Sequence, residues 1–270
     1  AEPVAVSTAA VATERDRGHI PRGRQALSDV FPYVNSGDGF YTDGSFVFHT
    51  VHPYNGGYGA ELIGTLGPLE EWLAGSSWEV TDPAQTNLFR WIYDSFQPLI
   101  YRGARMQMVS GRYYSRTGDD HLAGHDVIAS ILRIAQYAPS ADALAFKSMV
   151  KSWLTADTFR DFIATQPPPY NVWAQAVLND TNVAPRLPAA GPAQAGGELV
   201  AHFQFPHMDR ALHLRPGWGF GLAMSSSRIG NYESLRGENL HGWYTGEGMT
   251  YLYGNDLNQY ADGFWQTIDP

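Results

Sequence analysis

The chain has 270 residues, 44% of them hydrophobic, so it is long enough to build one large domain or two ordinary ones around a core. It contains no cysteine, which excludes disulfides and thiolate metal sites. The net charge of −9 argues against nucleic acid as a partner, and the lack of an apolar run of about 18 residues argues against a membrane-spanning segment.

The first two thirds of the sequence predict helices. Apolar residues recur every three to four positions in several windows, which is typical of helices with one buried face. We predict helices over residues 22–31, 58–72, 87–101, 124–137, 140–153 and 157–164, with a break in the second at Gly67 and Pro68 and with Ser140 as the cap of the fifth. Between the first two, residues 38–58 form a glycine-rich stretch that also carries aromatic and histidine side chains.

The last third of the sequence predicts antiparallel strands. Proline and glycine concentrate between residues 166 and 197, which indicates a linker that holds one short helix around residues 173–178. After Glu198, apolar and polar residues alternate, and we predict strands over 199–205, 210–215 and 218–227. No closing strand or helix is predicted after Glu238. The predicted class is therefore α+β, with a helical part over residues 1–168, a linker over 169–197 and the beginning of an antiparallel sheet domain over 198–270.

His49 and Tyr58 are the first candidate site residues, and both lie in the glycine-rich stretch. A turn-forming segment that contains Pro53, Gly56 and Gly57 separates them. Such a loop can bring an imidazole and a phenol to opposite sides of one substrate group. Taken alone, the pair fits a structural contact at least as well.

Arg112 and Arg116 are the second candidates, four residues apart in the sequence GRYYSR. On a helix they would share one face. An arginine pair beside a tyrosine suits a substrate that bears a carboxylate, because guanidinium groups bind carboxylates through paired hydrogen bonds. A solvated basic face is the alternative.

Three further pairs are weaker candidates. His121 and His125 have a spacing that could bind zinc from one helix, but no third ligand is apparent nearby, so we expect a metal-free pair. Asp38 and Asp43 could serve a glycosidase as acid and base, although each is followed by glycine, as in turns. The adjacent Glu238 and Asn239 follow a polar run and would be either turn residues or a wall of a site.

Four stretches of the chain together resemble polysaccharide lyase family 8, which contains hyaluronate, chondroitin AC and xanthan lyases. They cover more than a third of the chain in the family's order, and they read DGFYTDGSFVFHTVHPYNGGYG, RGARMQMVSGRYYSR, MDRALHLRPGWGFGLAMSSSRIGNYES and RGENLHGWYTGEGMTYLYGNDLNQYADGFWQTIDP. The resemblance implies part of an incomplete (α/α) toroid, followed by the start of an antiparallel β-sandwich domain, with the substrate cleft between them.

The resemblance also implies the site residues. The family's catalytic groups fall on His49, Tyr58, Arg112, Arg116 and Glu238. Asn239, Tyr54 and Asn55 are expected to bind the substrate. The family's catalytic asparagine lies upstream of His49 by more residues than precede it here, so the resemblance implies a central fragment, with further segments of the same enzyme supplying that group.

The expected activity is cleavage of a uronic-acid polysaccharide by β-elimination, without a metal or an organic cofactor. The expected partner is an anionic polysaccharide, with hyaluronan first and with chondroitin and xanthan open, and the expected location is secreted. Two rival interpretations remain. One is a glycan-binding fragment that does not cut its ligand, and the other is a hydrolase that uses Asp38 and Asp43.

Overall fold

The structure, a computed structural model, describes residues 19–116, 118–188, 198–260 and residue 264. Helices dominate up to Asn179, and strands dominate after Ala201. The α-helices are α1 His19–Ser28, α2 Ala60–Leu73, α3 Thr86–Trp91, α4 Asp120–Ile134, α5 Ser140–Ala156, α6 Phe162–Thr165 and α7 Tyr170–Asn179. Short π or 3-10 turns cover Asn55–Gly59, Pro83–Gln85, Ile92–Phe96, Gln97–Leu99, Gln107–Val109 and Gly111–Ser115.

The helices form where apolar residues recur at helical spacing. In α5, Phe146, Met149, Val150 and Trp153 lie on one face and are all buried. Helix α4 buries a similar stripe and packs against both α2 and α5. Helix α4 is therefore the centre of the helical core.

Two predicted helix details are wrong. Helix α2 runs through Pro68 without a break. The residue before Pro68 is Gly67, which has no Cβ to clash with the proline ring, so the helical backbone is tolerated there. Ser140 is not a cap, because α5 has Pro139 at that position and no side-chain capping bond.

Other helix boundaries also shift. Helix α4 begins four residues earlier than predicted, since the Asp119 side chain accepts a hydrogen bond from Leu122 N and caps it. The helix predicted over 87–101 divides into an α, a π and a 3-10 segment and ends at Leu99. Helix α7 lies within the predicted linker and packs on α4 and α5, while residues 189–197 of that linker lie outside the described residues.

Three antiparallel sheets are described. The glycine-rich stretch holds β1 (Gly39–Phe40), β2 (Phe46–Phe48) and β3 (His52–Pro53) in that order, and a hairpin follows with β4 (Ile100–Tyr101) and β5 (Ala104–Arg105). The largest sheet is a four-stranded meander of β6 (Ala201–Phe205), β7 (Arg210–Arg215), β8 (Trp218–Ala223) and β9 (Met249–Tyr253).

Strand β9 corrects the expectation that nothing follows Glu238 in the sheet. Tyr251 and Tyr253 are buried, whereas Thr250 and Leu252, which alternate with them, are exposed. This alternation is the strand pattern, and β9 pairs with β8 through Gly221 and Tyr251. The strand was missed because the preceding loop from Ser225 to Gly248 is long and polar.

The sheet packs directly against the helical part. The hydroxyls of Tyr114 and Tyr251 are hydrogen-bonded to each other across the boundary. Tyr253 OH accepts a bond from Gln107 N at 3.0 Å and donates to Asp120 at 3.2 Å. These buried contacts fix the sheet relative to the segment that carries Arg112. In the described part of the chain no helix has the length and apolar character needed to cross a bilayer.

Candidate active site

The hairpin between β2 and β3 places His49 at its tip. His49 and Thr50 both have left-handed backbone conformations, with φ of 49° and 71°. Residues other than glycine rarely adopt this region, so the turn is strained. Asp38 holds the turn by accepting a hydrogen bond from Thr50 N at 2.6 Å. The result is an imidazole that is 34% exposed at the edge of the sheet.

Tyr58 lies on the π-helical turn Asn55–Gly59, which leads directly into α2. Its ring is half-buried and packs against Phe48, with the ring centroids 4.2 Å apart. The centroid of the His49 ring lies 5.1 Å from the centroid of the Tyr58 ring, and the planes of the two rings are inclined by 68°. The imidazole and the phenol are therefore neighbours, and both are partly exposed to solvent.

Arg112 joins the phenols to two carboxylates. Its Nη2 donates to Tyr58 OH at 2.9 Å, and its Nη1 donates to Tyr54 OH and to Glu233 Oε2 at 3.1 Å each. Its Nε donates to Glu238 at 2.5 Å. Burial lowers the pKa of Arg112, but the bonds with Tyr58 and Glu238 outweigh burial, and the pKa is raised overall. Each of the three guanidinium nitrogens therefore donates at least one hydrogen bond, and the group stays charged.

Glu233 is a member of this cluster that the sequence motifs did not predict. Its Oε1 accepts a hydrogen bond from His49 Nδ1, and its Oε2 accepts one from Tyr54 OH as well as from Arg112. Burial would raise the pKa of Glu233, but hydrogen bonds from Tyr54, His49 and Arg112 outweigh it and lower the pKa. The carboxylate is therefore ionised and only accepts hydrogen bonds. The one signal for it in the sequence was an acidic residue in the polar run before Glu238.

Glu238 ties the second arginine to the site. It accepts from Arg116 Nε at 2.9 Å as well as from Arg112, and the Arg116 guanidinium also lies 3.4 Å above the Tyr113 ring. Hydrogen bonds from Arg116 and then from Arg112 hold the pKa of Glu238 below its usual value. Arg116 is 43% exposed, so it lies at the outer edge of the cluster.

The three residues expected to bind the substrate, Tyr54, Asn55 and Asn239, contact other parts of the protein. Tyr54 is 0% exposed, Asn55 1% and Asn239 5%, so none of them presents a surface to a sugar. Asn55 binds the backbone of Gly44 and of Ser95 through its Nδ2 at 2.9 and 3.0 Å, and its Oδ1 accepts from the β2 backbone. Burial and the bond to the neighbouring carboxylate raise the pKa of Tyr54 well above its usual value, so this phenol stays protonated. These residues build the floor of the site.

The weaker candidates lie elsewhere. His121 Nδ1 and His125 Nε2 each lie 2.8 Å from the same oxygen of Asp157, deep in the helical part. No group of three or more residues able to hold a metal occurs among the residues described. Asp43 accepts two hydrogen bonds from His207 at 2.9 Å each. Although burial would raise the pKa of Asp43, bonds from His207 and Ser45 lower it, which does not suit an acid catalyst.

Comparison with known families identifies the chain. Residues 5–152 match the N-terminal α-helical domain of polysaccharide lyase family 8, and residues 200–270 match the super-sandwich domain of the same family. The chain belongs to polysaccharide lyase family 8. The sequence-based assignment of the family and of a helical part followed by an antiparallel sheet is thereby confirmed.

Individual relatives in family 8 are named lyases of different polymers. The chain is 45% identical to a xanthan lyase of Bacillus sp. (strain GL1), covering 94% of this chain and 27% of that protein. It is 42% identical to a hyaluronate lyase of Thermasporomyces composti, covering 93% of this chain and 32% of that protein. It spans about a quarter to a third of the length of these family 8 relatives.

Solved family 8 structures have the same fold. A Paenibacillus xanthan lyase superposes with a TM-score of 0.89 at 49% identity, covering 98% of this chain and 24% of that one. A Streptomyces coelicolor A3 chondroitin AC lyase, solved in complex with chondroitin sulphate, superposes with a TM-score of 0.83 at 38% identity, covering 93% of this chain and 34% of that one.

Proposed function

We propose that this chain carries the catalytic centre of a lyase that cleaves a uronic-acid polysaccharide by β-elimination. The observation that carries the proposal is the hydrogen bond from Arg112 to Tyr58. His49 lies in the same cluster and is hydrogen-bonded to the ionised Glu233. Family membership supports the same reaction class. No water is added in this chemistry: a proton leaves C5 of the uronate, a C4–C5 double bond forms, and the glycosidic oxygen departs from C4.

Tyr58 is the proposed base. Its oxygen accepts a hydrogen bond from Arg112 at 2.9 Å, and a charged donor at this distance stabilises the phenolate. The phenolate takes the C5 proton, and the resulting phenol then gives a proton to the departing oxygen. The other side-chain bonds of Arg112, to Tyr54, Glu233 and Glu238, hold its guanidinium against the Tyr58 hydroxyl.

His49 is the proposed partner of the substrate carboxylate. Its Nδ1 is directed at Glu233, and since the carboxylate only accepts, Nδ1 carries a proton. In this proposal Nε2 donates to the uronate carboxylate, which requires a proton on both ring nitrogens. A donor to the charge that develops during such a reaction is typically worth about 3–4 kcal/mol. The upstream asparagine implied by the family resemblance would add a second donor.

Hyaluronan is the polymer proposed from the sequence, on the likeness of the YNGGYG and TGEGMTYLY segments to hyaluronate lyases. A specific observation favours xanthan as the second candidate, because the identity to a xanthan lyase is 45% against 42% to a hyaluronate lyase. Because such polymers are too large to cross a bilayer, we also propose that the protein acts outside the cell.

The decisive test mixes the chain with hyaluronan, chondroitin sulfate and xanthan in parallel and follows the ultraviolet absorbance of the unsaturated uronate. We expect a rise with at least one polymer. Tyr58→Phe removes the base, so we expect at least about a 1,000-fold loss of rate with substrate binding retained. Tyr33→Phe, which removes a half-buried hydroxyl elsewhere, serves as the matched control and should leave the rate unchanged.

Each rival predicts a different result. Saturated products would indicate hydrolysis, and saturable binding without products would indicate a binding module. Elimination by Tyr58→Phe at the rate of the unsubstituted chain would sink the assignment of the base.

A further inference from the structure

A rigid turn beside the candidate active site presents two aromatic rings to solvent. Trp243 is 44% exposed and Tyr244 is 71% exposed, although large aromatic side chains are usually well buried. They occupy the two central positions of a β-turn, which Thr245 closes by donating from its N to Gly242 O at 3.1 Å. The Thr245 hydroxyl donates to the same carbonyl at 2.7 Å.

Both ends of this turn are fixed to the segment that carries Glu233. Gly242 is buried so tightly against Asn239 that a Cβ at position 242 would lie 2.5 Å from the Asn239 amide nitrogen. That amide nitrogen donates to the backbone oxygen of Glu233 at 2.8 Å. The turn therefore touches a residue that directly supports the site.

The other end of the turn is held in the same way. A Cβ at Gly246 would lie 2.1 Å from Asn231 O, and Gly246 N donates to the Asn231 side chain at 3.1 Å. The Asn231 amide in turn donates to Glu247 at 2.7 Å, so the nearest carboxylate of the turn is engaged. With both ends fixed, the rings are presented without the flexibility that a free loop would have, which lowers the entropy lost on binding.

We propose that Trp243 and Tyr244 form a stacking site for an uncharged sugar ring of the polysaccharide, next to the uronate that is cleaved. This inference rests on the proposed function and deepens it. The chemistry favours an uncharged ring, because aromatic faces stack on the apolar C–H faces of pyranoses. The N–H donors that suit a uronate carboxylate, those of His49 and Arg116, lie in the catalytic cluster. His241 supports the Trp243 ring from its edge, with the centroids 5.2 Å apart.

The position of the turn limits how far the sugar lies from the bond that breaks. Trp243 follows Glu238 by five residues, and five residues span at most about 17 Å even when fully extended. Because turns fold this segment back on itself, the separation is shorter. The sugar ring that stacks on this turn therefore lies within a few sugar units of the cleaved bond. Its contribution to binding affinity appears only with oligosaccharides that are long enough to reach the turn.

The test measures binding by calorimetry in the 270-residue chain that carries Tyr58→Phe, so that turnover does not interfere, with short and longer hyaluronan and xanthan oligosaccharides. Adding Trp243→Ala should weaken binding of the longer oligosaccharides about 5- to 10-fold and leave the shortest ones nearly unaffected. Adding Trp243→Phe should restore most of the affinity. Trp72→Ala, at a tryptophan near the end of α2 that is 57% exposed, should change nothing.

The outcomes separate this inference from the proposed function. If the unsubstituted chain forms unsaturated products but Trp243→Ala binds every oligosaccharide as before, the stacking site is overturned and the lyase stands. That result would mean that another protein surface covers the turn. If no product forms but binding still depends on Trp243, the stacking site is supported and this chain by itself is a glycan-binding fragment. Absence of all binding overturns both.

Discussion

Two clusters in this molecule pair histidine with a carboxylate. They differ in solvent exposure and in how far apart their members lie in the sequence. His49 and Glu233 lie 184 residues apart in the sequence, and the imidazole is one third exposed. His121 and His125 lie within 36 residues of Asp157, and all three side chains are at most 4% exposed. The same pair of groups therefore serves two purposes. The open cluster can meet a substrate, while the closed one holds helices together.

The largest effect that would test this contrast is expected from Glu233→Gln. The amide keeps the size of the carboxylate but removes the charge that orients His49 and Arg112. By analogy with other buried carboxylates that orient a histidine, the kcat for unsaturated product should fall by about 1,000- to 10,000-fold.

The control for this prediction is Asp157→Asn, which makes the same chemical change in the closed cluster and should leave kcat within about 3-fold of the original. A Glu233→Gln variant that is folded by circular dichroism and retains its kcat would contradict the role given to this carboxylate.

The next largest effect is on stability, from Asp157→Ala. This substitution leaves two buried imidazoles without their acceptor and should cost about 3–5 kcal/mol of unfolding free energy in urea titrations. Burial would raise the pKa of Asp157, but hydrogen bonds from His121 and His125 lower it far below its usual value.

The pH dependence of this contribution has a defined sign. Because the folded-state pKa of Asp157 is depressed, its stabilisation is present above the unfolded pKa near 3.8 and is lost as the pH falls toward the folded pKa. The difference between the original chain and Asp157→Ala should therefore shrink in strong acid. A difference that is constant down to the lowest accessible pH would contradict the assignment.

A third carboxylate, Glu70, extends the comparison because it is buried without a cationic partner. It is 3% exposed, accepts a hydrogen bond from Gln85 on one oxygen, and has no donor near the other oxygen within the described residues. Burial raises its pKa from 4.5 to about 7. Since the folded state holds the proton more tightly, stability should fall as the pH rises from about 4.5 to 7, by about 3 kcal/mol.

Glu70→Gln tests this expectation, because the amide cannot ionise. It should raise the unfolding free energy at pH values above about 7 and flatten its pH dependence, and thermal or urea unfolding across that range measures both. Glu79→Gln, at an exposed position nearby, is the comparison variant. If the unfolding free energy of Glu70→Gln depends on pH as steeply as that of the original chain, a group other than Glu70 titrates in this range.

The smallest effect is expected at the rim of the open cluster, from Arg116→Lys. A lysine keeps the charge but loses the forked bond to Glu238 and the flat contact with Tyr113. Because exposed ion pairs contribute about 1 kcal/mol or less, KM should rise by at most about 5-fold with kcat unchanged. If kcat fell as far as in Glu233→Gln, Arg116 would have a role in the chemical step and not only at the rim of the cluster.

The sequence predicted the parts of the fold and the site that depend on local pattern. The amphipathic stripe of α5 and the alternation in β7 appear where the pattern indicates them. The family motifs also marked the chain positions of His49, Tyr58 and Arg112, which the structure brings together.

The parts that the sequence did not predict depend on contacts between distant segments. Glu233 reaches the site only because the sheet docks on the helical part through Tyr114 and Tyr251. The same kind of long-range packing buries Asn55, whose glycine-rich surroundings suggested an exposed loop. Strand β9 follows a long polar loop, so no short-range pattern linked it to β8.

The left-handed turn at His49 and Thr50 has a consequence for how this protein can change. A β-branched threonine held at a φ of 71° costs about 1–3 kcal/mol, which Thr50→Gly would recover. The same substitution would free the backbone that points the imidazole at its glutamate. Relief of strain and a fixed orientation of the His49 imidazole are therefore opposed at this one position.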